Sequence, residues 1–213
     1  MSSVAIIDYG MGNLHSIAKA LQHADPETDV NIVGDAESVM QADRIVFPGV
    51  GAIGDCMSAL QASGLDRVIK KVAEEKPLLG ICLGMQALLT ESEESGSTDC
   101  LNIIPGQVRR FSETLTDTDG SRLKIPHMGW NQVRQHSHPL WQNIEQDSRF
   151  YFVHSYFAVP DENSVVFGTS DYPDPFACAL GRANIFAVQF HPEKSQTAGL
   201  QLLKNFLRWD GKI

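Results

Sequence analysis

The stretch Leu78-Leu79-Gly80-Ile81-Cys82-Leu83-Gly84-Met85-Gln86 constrains the fold of this chain more than any other. A short apolar run after Pro77 reads as a buried parallel strand. It reaches a cysteine with a glycine two residues away on each side, then runs on through Leu83, Met85, Ala87, Leu88 and Leu89 with good helix formers. Strand, sharp turn and helix follow the logic of a nucleophile elbow, with sulfur in place of the usual serine oxygen. Gly80 and Gly84 remove side chains where strand and helix would crowd the turn, so that Cys82 stands exposed. At a helix N-terminus the sulfur would meet free backbone N–H groups and the positive end of the dipole, both of which favour thiolate. A lone cysteine is more often a buried structural residue. The paired glycines reverse that reading here, but an elbow still needs a base.

The candidate base lies about a hundred residues downstream, in Gln189-Phe190-His191-Pro192-Glu193-Lys194-Ser195. This segment ends an apolar strand at residues 185–188. Pro192 biases His191 toward extended geometry, where residues two apart share a face, so His191 and Glu193 can point the same way. That arrangement suits a base held by an orienting carboxylate. The plain alternative is a solvated strand end. A zinc deaminase also uses His-x-Glu, but it needs a Pro-Cys-x-x-Cys downstream, and no cysteine follows Cys178. A third feature, Pro48-Gly49-Val50-Gly51, follows an apolar strand at residues 44–47. Alone it reads as a strand-to-helix turn. Beside an elbow, its glycines allow the close backbone approach that would offer N–H groups to a developing oxyanion, with Leu83 N–H as a second donor. Spacing alone defines a cysteine acyl-transfer site and leaves its substrate open.

Taken together, Gly80-x-Cys82-x-Gly84-x-Gln86 and His191-Pro192-Glu193 resemble the triad glutamine amidotransferases, and Pro48-Gly49-Val50-Gly51 resembles that family's oxyanion strand. Asp8-Tyr9-Gly10-Met11-Gly12-Asn13-Leu14 and Pro126-His127-Met128-Gly129-Trp130-Asn131 narrow the resemblance to the glutaminase subunits of imidazole glycerol phosphate synthases, from histidine biosynthesis. It spans the chain from Asp8 to the final helix. The resemblance implies a three-layer α/β fold, a mainly parallel central sheet covered by helices on both faces, in one domain over residues 1–213. It implies Cys82 as nucleophile, His191 as base and Glu193 as orienter, without metal or cofactor. Gly49, Val50, Gly51 and Leu83 would form the oxyanion site. Gln86, one turn past the elbow, would line the glutamine pocket with His154, Ser155 and Tyr156, the last three largely through backbone. Ser155 stands where relatives often carry Thr, so the hydroxyl is retained. Glu94 would hold the substrate's amino group. Asn13, Met128 and Trp130 would face a cyclase subunit in a heterodimer, which receives the ammonia. The glutaminase subunit of another synthase, such as anthranilate synthase, and a cysteine peptidase of similar fold are the rival readings.

The rest of the chain agrees with an α/β sheet. Residues 4–7 read as a first strand, and Gly10-x-Gly12 opens a helix with Leu14, Ile17, Ala18 and Leu21 at helical spacing. With Asp35 after a second strand at residues 30–33, this mimics a dinucleotide fingerprint, but His15 stands where the third glycine belongs. Residues 53–75 read as helix, broken near Ser63-Gly64. Residues 105–135 read as short strands with an Asp119-Gly120 hairpin, residues 150–157 as one β-prone run, and strands follow at residues 164–169, 176–180 and 185–189. A last helix from about Ser195 carries Leu200, Leu203, Phe206 and Leu207 on one face. His136 and His138 read as loop residues, not metal ligands. A net charge of −9 argues against a nucleic-acid surface. Four cysteines without regular spacing suit reduced thiols in the cytosol. Neither a leader nor a membrane span is expected.

Overall fold

In the first half of the chain, apolar strands alternate with amphipathic helices. The computed structural model, which describes residues 2–117 and 120–212, contains there β1 (Ser3–Ile7), α1 (Leu14–Ala24), β2 (Asp29–Val33), α2 (Ala36–Gln41), β3 (Arg44–Gly49), α3 (Ile53–Ser63), α4 (Leu65–Glu75), β4 (Leu78–Cys82) and α5 (Leu83–Ala87). The second half is mostly strands: β5 (Glu91–Ser92), β6 (Thr98–Asp99), β7 (Gly106–Arg110), β8 (His127–Gln132), β9 (Arg134–Gln135), β10 (Arg149–His154), β11 (Tyr156–Pro160), β12 (Val166–Asp171), β13 (Pro175–Arg182) and β14 (Ile185–Val188), closed by α6 (Gln196–Arg208).

The main sheet runs β2-β1-β3-β4-β14-β13-β11-β7-β5-β6. Its first five strands are all parallel, and β4 lies between β3 and β14. This is the expected mainly parallel sheet, and it carries the elbow at its centre. From β14 onward it is extended by antiparallel neighbours β13, β11 and β7. Strand alternation divides the core in two. Ala5, Ile7, Ile45 and Phe47 pack with α2, α3 and α4 on one face, while Val4, Ile6, Val46 and Ile81 pack with α1 and α6 on the other. Each fully buried Leu, Ile or Phe of these layers contributes about 1.5–3 kcal/mol.

Several local expectations need correction. The β-prone run at residues 150–157 is two strands. It breaks at Ser155, where the chain leaves a ribbon formed by β8 and β10 and joins the main sheet beside β7. The helix after the elbow stops at Ala87 because the loop at residues 101–104 donates N–H groups to the carbonyls of Ala87, Leu88 and Leu89, ending the i→i+4 pattern. In α6, Leu202 joins Leu203, Phe206 and Leu207 in the core, and Leu200 is only partly buried. Asp35 caps α2, accepting from Ser38 N at 2.8 Å, so its carboxylate is engaged and the dinucleotide pattern ends there. Asp119 of the expected hairpin lies outside the described residues; Thr116 and Arg122 form an antiparallel bridge.

Candidate active site

Cys82 closes β4 with φ +55° and ψ −111°, a left-handed conformation that is strained for a residue with a Cβ. The strand therefore turns abruptly into α5. The turn is tight enough that a Cβ at Gly84 would overlap the Phe47 carbonyl oxygen of β3, which is why glycine stands there. The sulfur is less open than the sequence suggested: Cys82 is only 7 % exposed, on the floor of a pocket.

The parallel register of β14 with β4 pairs Val188 with Ile81, so the residues after β14 arrive beside the elbow. His191 is extended, but Pro192–Lys194 is a 3-10 turn. The expected face-sharing of His191 and Glu193 is thus achieved within a turn opened by the fixed φ of Pro192, not along a strand. His191 Nδ1–H donates to Glu193 Oε1 at 2.9 Å, with the two side chains 4 % and 1 % exposed. The backbone is braced as well. His191 N–H donates to Tyr151 O at 2.9 Å, and the Ser195 hydroxyl donates to His191 O at 2.6 Å while accepting from Tyr151 N at 3.0 Å. Nε2 is buried and makes no hydrogen bond of ordinary geometry at rest; Cys82 is the group that faces it. Burial pushes the imidazole down, but the adjacent Cys82 sulfur and the Glu193 carboxylate outweigh it and hold His191 up at about 10.

The pocket above the sulfur has a volume of about 300 Å³ and is lined by Val50, Gly51, Cys82, Leu83, Gln86, Glu94, Pro126, Val153, His154, Ser155, Tyr156 and His191. That is the size of an amino-acid site, at the small end of ligand cavities. It brings together the catalytic, oxyanion and substrate residues expected from the sequence except Glu193, which is buried on Nδ1 of His191, and Gly49. Gly49 lies behind the wall, where a Cβ would meet the Tyr9 hydroxyl and Leu83. Gly51 has φ +104°, a conformation natural to glycine that turns the loop toward the cavity. Glu94 enters the lining with one carboxylate oxygen, Oε2, accepting from Ile53 N at 2.9 Å. Gln86 Nε2 donates to Tyr156 O at 3.1 Å.

His154 belongs to the lining of the pocket. Its ring is turned inward, where Nδ1–H donates to Tyr156 O at 2.8 Å and Nε2 accepts from His127 Nδ1–H at 2.9 Å. Asn13, Met128 and Trp130 stand outside the pocket. Met128 is 62 % exposed and Trp130 is 42 % exposed, both on β8, and Asn13 is exposed ahead of α1. Among the described residues no group of three or more His, Cys, Asp or Glu side chains is arranged to hold a metal ion. His138 instead caps the turn Pro139–Trp141, accepting from Leu140 N at 3.1 Å.

Sequence reasoning passed over Tyr9 and Gln189. The Tyr9 hydroxyl donates to Pro48 O at 2.9 Å. Gln189, 0 % exposed, places Nε2 3.7 Å from Cys82 Sγ. The signal for Gln189 was a large polar side chain at the end of an otherwise apolar strand.

A βαβ frame with a cysteine elbow and a distant His-Glu pair defines a thiol acyl-transfer enzyme of the amidotransferase type. Residues 5–209 match the family described as glutamine amidotransferase class-I, and the chain belongs to it. Among relatives, it is 62% identical over 212 residues to "Imidazole glycerol phosphate synthase subunit HisH" of Methylococcus capsulatus, covering 99% of this chain and 98% of the relative. A protein of the same name from Pseudomonas putida is 53% identical over 213 residues, with both chains covered in full at 100%. Among solved structures, PurLQS from Thermotoga maritima superposes with a TM-score of 0.72 at 16% identity, covering 97% of this chain and 98% of that one. A structure described as a glutamine amidotransferase gives 0.71 at 18% identity, covering 96% and 97%. At those identities the likeness is one of fold.

Proposed function

We propose that this chain is the glutaminase subunit of imidazole glycerol phosphate synthase, hydrolysing glutamine to glutamate and ammonia for a cyclase subunit in histidine biosynthesis. The observation that carries the chemistry is His191, held through Nδ1 by Glu193 at 2.9 Å and open through Nε2 toward Cys82. The identity of 62% with a named synthase subunit supports the assignment within the family.

Cys82 thiolate attacks the side-chain amide carbon of glutamine, and the carbonyl π electrons move onto oxygen. Backbone N–H groups of Leu83 and of the Gly49-Val50-Gly51 loop receive that oxyanion; one such donor is worth roughly 10²–10³-fold. His191, as imidazolium, gives its Nε2 proton to the departing nitrogen, and the C–N bond breaks to release ammonia and leave a thioester. Neutral His191 then takes a proton from water, whose oxygen attacks the thioester carbon and expels Cys82 as thiolate with glutamate. General acid–base help of this kind contributes roughly 10²–10⁴-fold. Glu193 holds the ring and stabilises its charge. Glu94 pairs with the substrate's ammonium group, while Gln86 and the backbone of His154, Ser155 and Tyr156 line its path.

Ammonia released into neutral water would be protonated and lose its nucleophilicity, so a partner must take it directly. We assign that role to the cyclase subunit, in a heterodimer formed on the side of Asn13, Met128 and Trp130. Four buried free cysteines suit the reducing cytoplasm. Among the described residues no helix is long and apolar enough to cross a membrane. The test is glutamate release from glutamine by the chain alone and with a cyclase subunit carrying its ligand, with Cys82→Ala as control. The expected result is strong release in the complex only, abolished by the substitution. Release indifferent to the cyclase discards the synthase assignment, and no release from the folded complex discards the glutaminase.

A further inference from the structure

Register places Gln189 against the reacting sulfur. Val188 of β14 pairs with Ile81 of β4, so the next step along both strands sets Gln189 beside Cys82. The side chain is 0 % exposed, and Nε2 lies 3.7 Å from Sγ, within hydrogen-bonding reach of sulfur.

The end of the amide that faces the sulfur is determined by its neighbours. The Tyr156 carbonyl can only accept, so the Gln86 group 3.1 Å from it is NH₂. The same Gln86 Nε2 reaches Gln189 at 3.0 Å, so Gln189 presents Oε1 to it. What remains to face Cys82 is the Gln189 NH₂. His154 Nδ1–H also donates to the Tyr156 carbonyl, at 2.8 Å, so both lone pairs of that anchor are used. The orientation runs from a fixed backbone carbonyl through two side-chain amides to the sulfur, without a free rotor.

We propose that Gln189 is a further catalytic residue of the glutaminase reaction: its Nε2–H donates to the Cys82 sulfur, holding the thiolate toward His191 and receiving it again when the thioester breaks. This rests on Cys82 being the nucleophile. The elbow backbone fixes where Cβ stands but not the rotation of Sγ about Cα–Cβ. A donor on each side supplies what the backbone does not: His191 from one direction and the Gln189 amide from the other. Hydrogen bonds to an ionised acceptor in a dry site are stronger than neutral ones and favour the charged form. The charge reappears at the same atom when glutamate leaves, so the donor serves both halves of the reaction.

The test uses two substitutions with opposite side effects. Gln189→Glu keeps an oxygen for Gln86 but turns a second oxygen toward the sulfur, whereas Gln189→Met keeps the length and removes both polar contacts. With cyclase present, kcat should fall about tenfold in Gln189→Met and further in Gln189→Glu, with KM for glutamine little changed. The curve of iodoacetamide alkylation of Cys82 against pH should move to higher pH in both. Folded variants that keep the wild-type kcat and alkylation curve overturn the proposal, even if they melt at lower temperature, because a packing role alone would do that. Wild-type protein that keeps its glutaminase activity after Cys82 is alkylated overturns the nucleophile assignment and this inference together. If turnover is lost on alkylation while both variants behave as wild type, only the Gln189 proposal falls. Should neither variant fold, the ¹⁵N-labelled side-chain amide of Gln189 in the wild-type protein carries the test. Its NH₂ signals should shift when Cys82 is alkylated, and unchanged signals overturn the contact.

Discussion

The Tyr9 hydroxyl donates to the Pro48 carbonyl at 2.9 Å, tying the loop after β1 to the end of β3 where Gly49-Val50-Gly51 begins. Burial raises this phenol well above its usual range, so it remains a donor at any working pH. Replacing it by Tyr9→Phe leaves a buried carbonyl without its partner, at a cost of about 1–3 kcal/mol. The loop proposed to receive the oxyanion also loses its brace. Urea denaturation should show the loss of stability, and glutamine turnover in the complex should fall through kcat. Unchanged turnover in a destabilised variant would limit Tyr9 to a structural role.

Glu193 is one of the two groups that reverse the effect of burial on His191. The folded value is raised, so the charged imidazole stabilises the protein fully below about 6.5 and this is lost as pH rises through about 10. Glu193→Gln removes part of that support, so the His191 midpoint should move down and stability between pH 7 and 9 should drop toward that of a neutral ring. Turnover should fall roughly 10²-fold. An NMR titration of the His191 ring gives the midpoint directly, and a midpoint that stays in place would refute the coupling.

The remaining buried imidazoles act in the opposite sense. Burial lowers His127 and His138 to about 4 and His154 to about 3. Each depressed group favours the folded state above about 6.5, and this is lost as pH falls through the folded values, because the unfolded chain takes up protons that the native core refuses. The slope is up to ~1.4 kcal/mol per pH unit for each. His191, charged in the folded state throughout this range, adds an opposing slope only near pH 7 and none once the unfolded ring is charged as well. Stability measured in urea should therefore fall between pH 7 and pH 5. His138→Phe, among the rings of Phe167, Phe186 and Trp209, should make that fall shallower. An identical slope would count against the account.

Trp130 and Met128 leave apolar side chains in solvent on β8, 42 % and 62 % exposed. Trp130→Ala should leave the melting temperature of the isolated chain nearly unchanged and weaken association with the cyclase subunit by at least about tenfold, the loss expected of a buried aromatic anchor. Calorimetric titration of the two subunits decides it. Equal affinity would move the proposed interface elsewhere.

Much of the site was legible because its chemistry is local. Cys82 between Gly80 and Gly84 specifies a tight turn, and Gly84 is required by a single overlap with Phe47 O. His191 and Glu193, two residues apart, could find each other in either of two local conformations, so their pairing was foreseen although the turn that achieves it was not. Ser155 was harder. The β-prone run around it contains no breaker, and the division arises because β10 pairs with β8 while β11 pairs with β7. Competition between distant partners decides such a break, and local propensity carries no record of it.

By itself, the sequence determined the elements that depend on short-range sterics and periodicity: parallel strands, amphipathic helices, the elbow at Cys82 and the His191 imidazole beside its carboxylate. Tertiary structure alone decided what stands opposite what. Parallel pairing of β14 with β4 sets Gln189 at the sulfur, and the docking of the first loop on β3 sets Tyr9 under Pro48. It also decided that Cys82 lies on the floor of a pocket, not on an open turn. The reason is physical: strand register and loop docking are fixed by the burial of both sheet faces at once, a sum over the whole core that no single stretch of the chain contains.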